Sequence, residues 1–469
     1  MHDDVHWLGA SRLLDLYRRR ELSPVEVARS LLDRVEDLDG HFGAFRLVDP
    51  DATLAQARRS EARYRHLERV GLLDGLPVAI KDSFPTRGWS TCFGSRAVDT
   101  RREWGRDGPT ISSLRRQNAV FMGKTTMSEF GWKAVTDSPL TGVSRNPWNT
   151  DRTPGGSSGG SGVALAAGFC PLAIGSDIGG SARIPAAFCN VVGLKPTQEL
   201  APLRDDIKSG LLLHAGVMAR TVEDIALAMD VMTEWHPSSA ARPQSAESYT
   251  EAFAEDVEGL RVASSPGLGL FELDPGVESA VREVGRTLEQ LGAWVSEVDP
   301  GIEDPTKIYT DLLLPSLTME VDAVDPSRHD RMDPGLLEAA DEGRRLGAVR
   351  YAEALQRRRG LIAELGRLQQ HYDVLITATV PVPPFEAGLE VPRGWPHDRW
   401  WTWTPLTFPF NVTGQPALSV PAGFTDEGLP IGVQFVAGRH QERVILKAAH
   451  AYQRANPTFT RHPPSVSRG

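Results

Sequence analysis

The sequence predicts an α/β fold, one large unit with helices around a central sheet. Short apolar runs of strand type alternate along the chain with amphipathic segments of helical period. Gly and Pro number 44 and 34 in 469 residues, and that load belongs in the turns joining such elements. Length alone suggests about three domains of roughly 150 residues. Large α/β enzymes run longer as one unit, however, and no segment reads as a flexible linker or an internal repeat.

The elements follow in chain order. Ser23-Pro24-Val25-Glu26 opens a helix: Ser23 can cap the first turn, Pro24 suits its first position, and Glu26 completes a capping box. Leu76 to Ile80, Ala119 to Met122 and Pro171 to Ile174 are short apolar runs that predict buried strands. Thr221-Val222-Glu223-Asp224 starts an amphipathic helix running towards Met232. Residues 275–291 and 351–370 read as helices, and Asp373 to Thr377 as a buried strand. Strands at Ala417 to Val420 and Ile431 to Val436 precede a helix from Glu442 to Arg454. Insertions or loops are expected near 233–250, 301–335 and 380–405, where polar residues or prolines interrupt the pattern.

Composition excludes several function classes. A formal net charge of −10 argues against nucleic acid, because phosphate binding needs a clustered cationic face. The runs Arg18-Arg19-Arg20 and Arg357-Arg358-Arg359 are short, flanked by acids, and read as solvated helix faces. Cys92, Cys170 and Cys189 cannot complete a disulfide framework and match no zinc spacing, so they read as buried thiols. The first residues lack the basic start and apolar core of a signal peptide. The uncharged stretch Thr153 to Ser176 is too broken by Gly, Ser and Pro to span a bilayer. A cytoplasmic protein without membrane contact is the expectation.

The chemistry concentrates in that same stretch. Thr-Pro-Gly-Gly-Ser-Ser-Gly-Gly-Ser-Gly starts at Thr153, and Gly-Ser-Asp-Ile-Gly-Gly-Ser-Ala-Arg-Ile-Pro spans 175–185. Glycine pairs allow backbone conformations that let successive N–H groups converge on one point, as an oxyanion requires. Ser157 follows Gly155-Gly156, and Ser181 follows Gly179-Gly180. A Gly/Ser linker is the plain alternative, but a linker would not carry the apolar Val163, Leu165, Phe169 and Ile174 between its two serines.

From Thr153 to Thr197 the chain resembles the signature of the amidase signature family. Gly75 to Asp82, Gly123 to Phe130, Asn146-Pro147-Trp148, Thr413 to Ala417 and Gly428 to Gly432 are similar to family segments as well, so the resemblance covers nearly the whole chain. It implies one domain on a large mixed sheet and a serine hydrolase that cleaves amide C–N bonds through an acyl-enzyme. It implies Lys81 as base, Ser157 as bridging serine next to a cis peptide bond, and Ser181 as nucleophile. An oxyanion hole from the N–H groups of Ile178, Gly179, Gly180 and Ser181 follows, with no metal and no cofactor. Ser158 is expected to donate within the relay, and Asp177 and Arg183 to brace the loop. Gly131 and Trp132 correspond to a region where the family lines its acyl pocket; a core position for Trp132 is the other reading.

The implied roles obey ordinary chemistry. A serine hydroxyl is a weak nucleophile and needs a base within reach. A lysine keeps its proton to about pH 10.4 unless burial or neighbouring charge removes it. Lys81 ends an apolar strand, and burial there would meet that condition.

Other motifs fail on context. Gly155-Gly156-Ser157-Ser158-Gly159 fits the α/β-hydrolase elbow, but turn-forming residues precede it where that elbow needs a strand. Gly123-Lys124-Thr125 lacks the earlier glycine of a phosphate loop, and the histidines show no metal spacing. Within the family, an ammonia-releasing subunit of a tRNA-dependent amidotransferase and a catalytically silent binding protein are the alternatives. Bulky or aryl uncharged amides, esters and carbamates (urethanes) are the expected substrates of a monomer or homodimer. Trp395, Trp400, Trp401 and Trp403 cluster before Thr413. Either these rings cover the core edge, or Trp401 and Trp403 line an aromatic pocket mouth.

Overall fold

The apolar runs become strands and the amphipathic segments helices in the computed structural model, which describes residues 5–66, 70–201, 210–234 and 248–466. The described strands are, in chain order, β1 (Phe45–Val48), β2 (Pro77–Lys81), β3 (Val120–Thr125), β4 (Asp137–Ser138), β5 (Gly142–Val143), β6 (Leu172–Asp177), β7 (Val192–Lys195), β8 (His214–Ala219), β9 (Arg261–Ser264), β10 (Trp294–Glu297), β11 (Val374–Ala378), β12 (Ala417–Phe424) and β13 (Pro430–Val436). β4 and β5 pair as a small hairpin. The other eleven form one sheet in the order β1-β3-β2-β6-β8-β7-β12-β13-β11-β9-β10.

The sheet is mixed. β2 runs parallel to both β3 and β6, whereas β8, β7, β12, β13 and β11 are linked by antiparallel pairs. All five residues of β2 are buried, which explains its unbroken apolar run before Lys81. Val78, Ala79 and Ile80 sit opposite Leu172, Ala173 and Ile174. That register brings the ends of β2 and β6, and so Lys81 and Ser176, to the same edge of the molecule's core.

Helices cover the sheet within one domain. Ser23 caps the helix Pro24–Phe42 with its hydroxyl 3.0 Å from the Val25 N–H, and Glu26 accepts from the Ser23 N–H at 2.9 Å. The helices Val222–Met232, Pro275–Gln290, Ala348–His371 and Glu442–Ala455 lie where the periodicity predicts them. The loop expected at 301–335 is instead largely helix, Thr306–Asp322, with Ile308, Tyr309, Leu312, Leu313, Leu317 and Val321 buried. Pro315 lies inside it and disguises the helical period, because proline removes a backbone donor. Residues 380–405 carry only the short 3-10 helix Trp400–Trp403. Of the insertion expected at 233–250, residues 235–247 lie outside the described residues. No helix among the described residues is long and apolar enough to cross a membrane, and Cys92, Cys170 and Cys189 are buried and unpaired.

Candidate active site

Lys81 closes β2, which lies between β3 and β6 in the sheet, and is fully buried. Its Nζ lies 2.7 Å from Ser157 Oγ and 2.8 Å from Ser176 Oγ. Burial strips water from the ammonium and lowers its pKa to about 7, against an opposing pull from the Asp177 carboxylate. Lys81 therefore loses its proton near neutrality and can accept one from a serine hydroxyl.

The peptide between Gly156 and Ser157 is cis. Gly156 presses on the Val135 backbone, where a Cβ would come within 2.5 Å of the Val135 carbonyl carbon, so only glycine fits. The Ser157 side chain faces Gly131; a Cβ on that glycine would lie 3.2 Å from Ser157 Oγ. Ser158 does not join the lysine. Its hydroxyl donates to the Ser176 carbonyl at 3.1 Å and accepts from the Ser176 N–H at 3.3 Å, and so fixes the residue that contacts Lys81.

The second glycine turn is braced from within. Asp177 accepts from the Gly180 N–H at 2.7 Å, the Ala182 N–H at 3.2 Å and Asn411 Nδ2 at 2.8 Å. Arg183 donates to it through Nε at 3.0 Å and through its terminal nitrogen at 2.9 Å. Burial opposes the charge on Asp177, but the Arg183 guanidinium and the Asn411 amide outweigh it and hold the carboxyl well below the usual range. Arg183 also reaches the Thr407 carbonyl at 2.9 Å and Gln434 at 3.1 Å. Thr407 in turn donates to the Gly179 carbonyl at 2.6 Å.

This bracing alters the expected oxyanion hole. The Gly180 N–H is committed to Asp177, so of the four expected donors Ile178, Gly179 and Ser181 remain. Gly180 has φ +119, a conformation that favours glycine, and a Cβ there would meet Thr407 Oγ1 at 2.5 Å. Ser181 is tied to the first glycine turn through its backbone, its carbonyl accepting from the Ser158 N–H at 3.2 Å.

A cavity beside Ser157 and Ser176 has apolar walls from Phe93, Met127, Phe130, Ile178 and Leu213. Gly131 lines it, and Trp132, Trp401 and Trp403 are not among the described residues that do. Trp132 is fully buried against Gly335. Trp401 packs edge-on to Trp400 with the Arg399 guanidinium 5.6 Å from its ring centre. Trp403 stacks on Phe188 at 6.0 Å, meets Phe385 edge-on and donates to the Glu390 carbonyl at 3.0 Å. The tryptophans thus cover the core edge. Trp403→Ala should destabilise the fold by about 3–5 kcal/mol. Its ratio of kcat/KM for aryl over aliphatic amides should stay at the wild-type value, and thermal melts with a two-substrate assay check both.

Ser176, Asn411 and Thr407 escape a reading of the sequence. Ser176 stands directly before Asp177 at the strand end, so the alternation of β6 could have pointed it towards Lys81. Asn411 and Thr407 reach the turn from more than 220 positions away, and no local signal marks them.

A family profile described as Amidase matches residues 26–446. An acylamidase of Rhodococcus erythropolis is 33% identical over 473 residues, which cover 98% of each chain. A glutamyl-tRNA(Gln) amidotransferase subunit of Alkaliphilus metalliredigens is 32% identical over 95% of this chain and 96% of its own. A bacterial aryl acylamidase of the amidase signature family superposes with a TM-score of 0.93 at 27% identity, covering 100% of both chains. 6-Aminohexanoate cyclic dimer hydrolase superposes with a TM-score of 0.89 at 28% identity, covering 99% of this chain and 100% of its own. With this mixed sheet, the two glycine turns and a match along nearly its whole length, the chain belongs to the amidase signature family.

Proposed function

We propose that this amidase hydrolyses carboxylic amides through an acyl-enzyme on Ser181. The observation that carries the reading is a buried Lys81 amine, its pKa lowered to about 7, at 2.7 Å from the Ser157 hydroxyl. Ser181 attacks the carbonyl carbon while its proton passes to Ser157 Oγ, and the Ser157 proton passes to Lys81 Nζ. The N–H groups of Ile178, Gly179 and Ser181 stabilise the oxyanion. Collapse of the tetrahedral intermediate breaks the C–N bond, and the same relay returns the proton to the leaving amine. Water then enters, gives its proton to the relay and releases the acid.

Apolar walls beside Ser157 favour bulky or aryl uncharged groups, and the likeness to an aryl acylamidase supports that choice. Esters and carbamates follow from the same acyl chemistry. Three unpaired buried thiols suit a reducing compartment and support a cytoplasmic setting. A second reading, release of ammonia from glutamine for a partner enzyme, draws on the 32% identity to an amidotransferase subunit.

One experiment separates these. Mass spectrometry of the enzyme quenched during turnover of an acyl 4-nitroanilide should find the acyl mass on the peptide that contains Ser181. Glutamine should give no comparable adduct. Acylation of another residue, or none during sustained nitroaniline release, would refute the mechanism; glutamine turnover without anilide turnover would favour the second reading.

A further inference from the structure

Two polar side chains interrupt the apolar walls beside Ser157. Ser83, two residues beyond Lys81, lines the cavity, and so does Glu320 from the helix Thr306–Asp322. Each residue is 7% exposed. The Ser83 Oγ is buried and has no hydrogen-bond partner. An unmet buried hydroxyl disfavours the folded state, and a ligand that supplies its partner removes that cost. Glu320 has contacts of its own within the protein. A carboxylate offers about four acceptor sites, so such contacts leave capacity for a ligand.

We propose that Ser83 and Glu320 form a specificity subsite that selects substrates carrying an amino group beside the scissile amide. The proposal rests on the hydrolase reading and deepens it, adding one polar point to an otherwise apolar substrate. An ionised carboxylate only accepts hydrogen bonds, and a serine hydroxyl can accept as well as donate. A group with several N–H donors satisfies both at once, and an ammonium adds charge attraction to Glu320. A carboxylate or nitro group at the same place would meet repulsion from Glu320.

The test compares 4-nitroanilides whose acyl chains end in an ammonium group one to four methylenes from the carbonyl. Each is paired with a partner of the same shape that carries a methyl group instead. For the best-fitting length, wild-type kcat/KM should favour the amine by about tenfold or more, the range of a hydrogen bond to a charged group. Glu320→Gln should bring that ratio close to one, Ser83→Ala should lower it about threefold, and Glu320→Asp should move the optimum to a longer chain. The ratio is internal to each variant, so a general loss of activity cancels. If Glu320 variants do not fold, the wild-type ratio and Ser83→Ala still decide. A wild-type ratio at or below one at every length, or a ratio that neither Ser83→Ala nor Glu320→Gln moves, would overturn the subsite. No hydrolysis in either series would overturn the hydrolase reading beneath it.

Discussion

Ser181→Ala should lower kcat by about 10⁴-fold or more, since losing the nucleophile of a cooperating set removes nearly all the chemistry. The melting temperature should stay close to that of the wild type. Ser181 is buried in a turn held by Asp177, Arg183 and Thr407, and the bonds that hold that turn do not use the Ser181 hydroxyl. Its backbone carbonyl, which the Ser158 N–H needs, survives the substitution. The measurement is nitroanilide turnover beside a thermal melt. More than a few per cent residual activity in a folded variant would return the nucleophile to another residue.

The second large effect concerns protons. Lys81 must be neutral to accept one, and its pKa is lowered to about 7 by burial. Activity should therefore rise with pH through about 7 and level off above it, falling about tenfold per unit on the acid side. Lys81→Ala should cost about as much as losing Ser181, because the two act as a unit. It should also abolish the acid limb near 7 in whatever activity remains. A pH–rate profile of kcat/KM for both proteins tests this. A wild-type profile flat from pH 6 to 9 would remove Lys81 from the base role.

The strand before Lys81, the capping box at Ser23 and the two glycine turns are legible in the sequence because each is a local pattern. Five successive apolar or small residues suit a strand covered on both faces, and Lys81 at their end is carried into the core with them. The arrangement around Asp177 is only half legible. Its bond to Arg183 spans six positions, but Asn411 arrives from 234 positions away. The commitment of the Gly180 N–H depends on how tightly the turn closes, which the letters do not encode. Tryptophan is ambiguous for a different reason: a large apolar ring suits a core edge and a pocket wall equally well. Contacts made in the folded chain, such as the stacking of Trp403 on Phe188, bear on the choice, and the letters do not encode them.

The buried lysines at the strand ends have a consequence for the folding reaction itself. Lys81 and Lys124, both lowered to about 7 by burial, carry their protons in the unfolded chain at pH 8 and largely lack them in the native one; burial pushes Lys195 down as well. At Lys81 and Lys124 folding thus expels protons into the solvent. Unfolding takes those protons back. For Lys81 and Lys124 the unfolded state binds more protons between pH 7 and 10.5, so their burden on stability lightens as the solution becomes alkaline. Below pH 7, Lys81 and Lys124 are charged in both states and that burden is at its full size. The neutral amine that the proposed relay requires is thus also the form of Lys81 that the folded chain accommodates best.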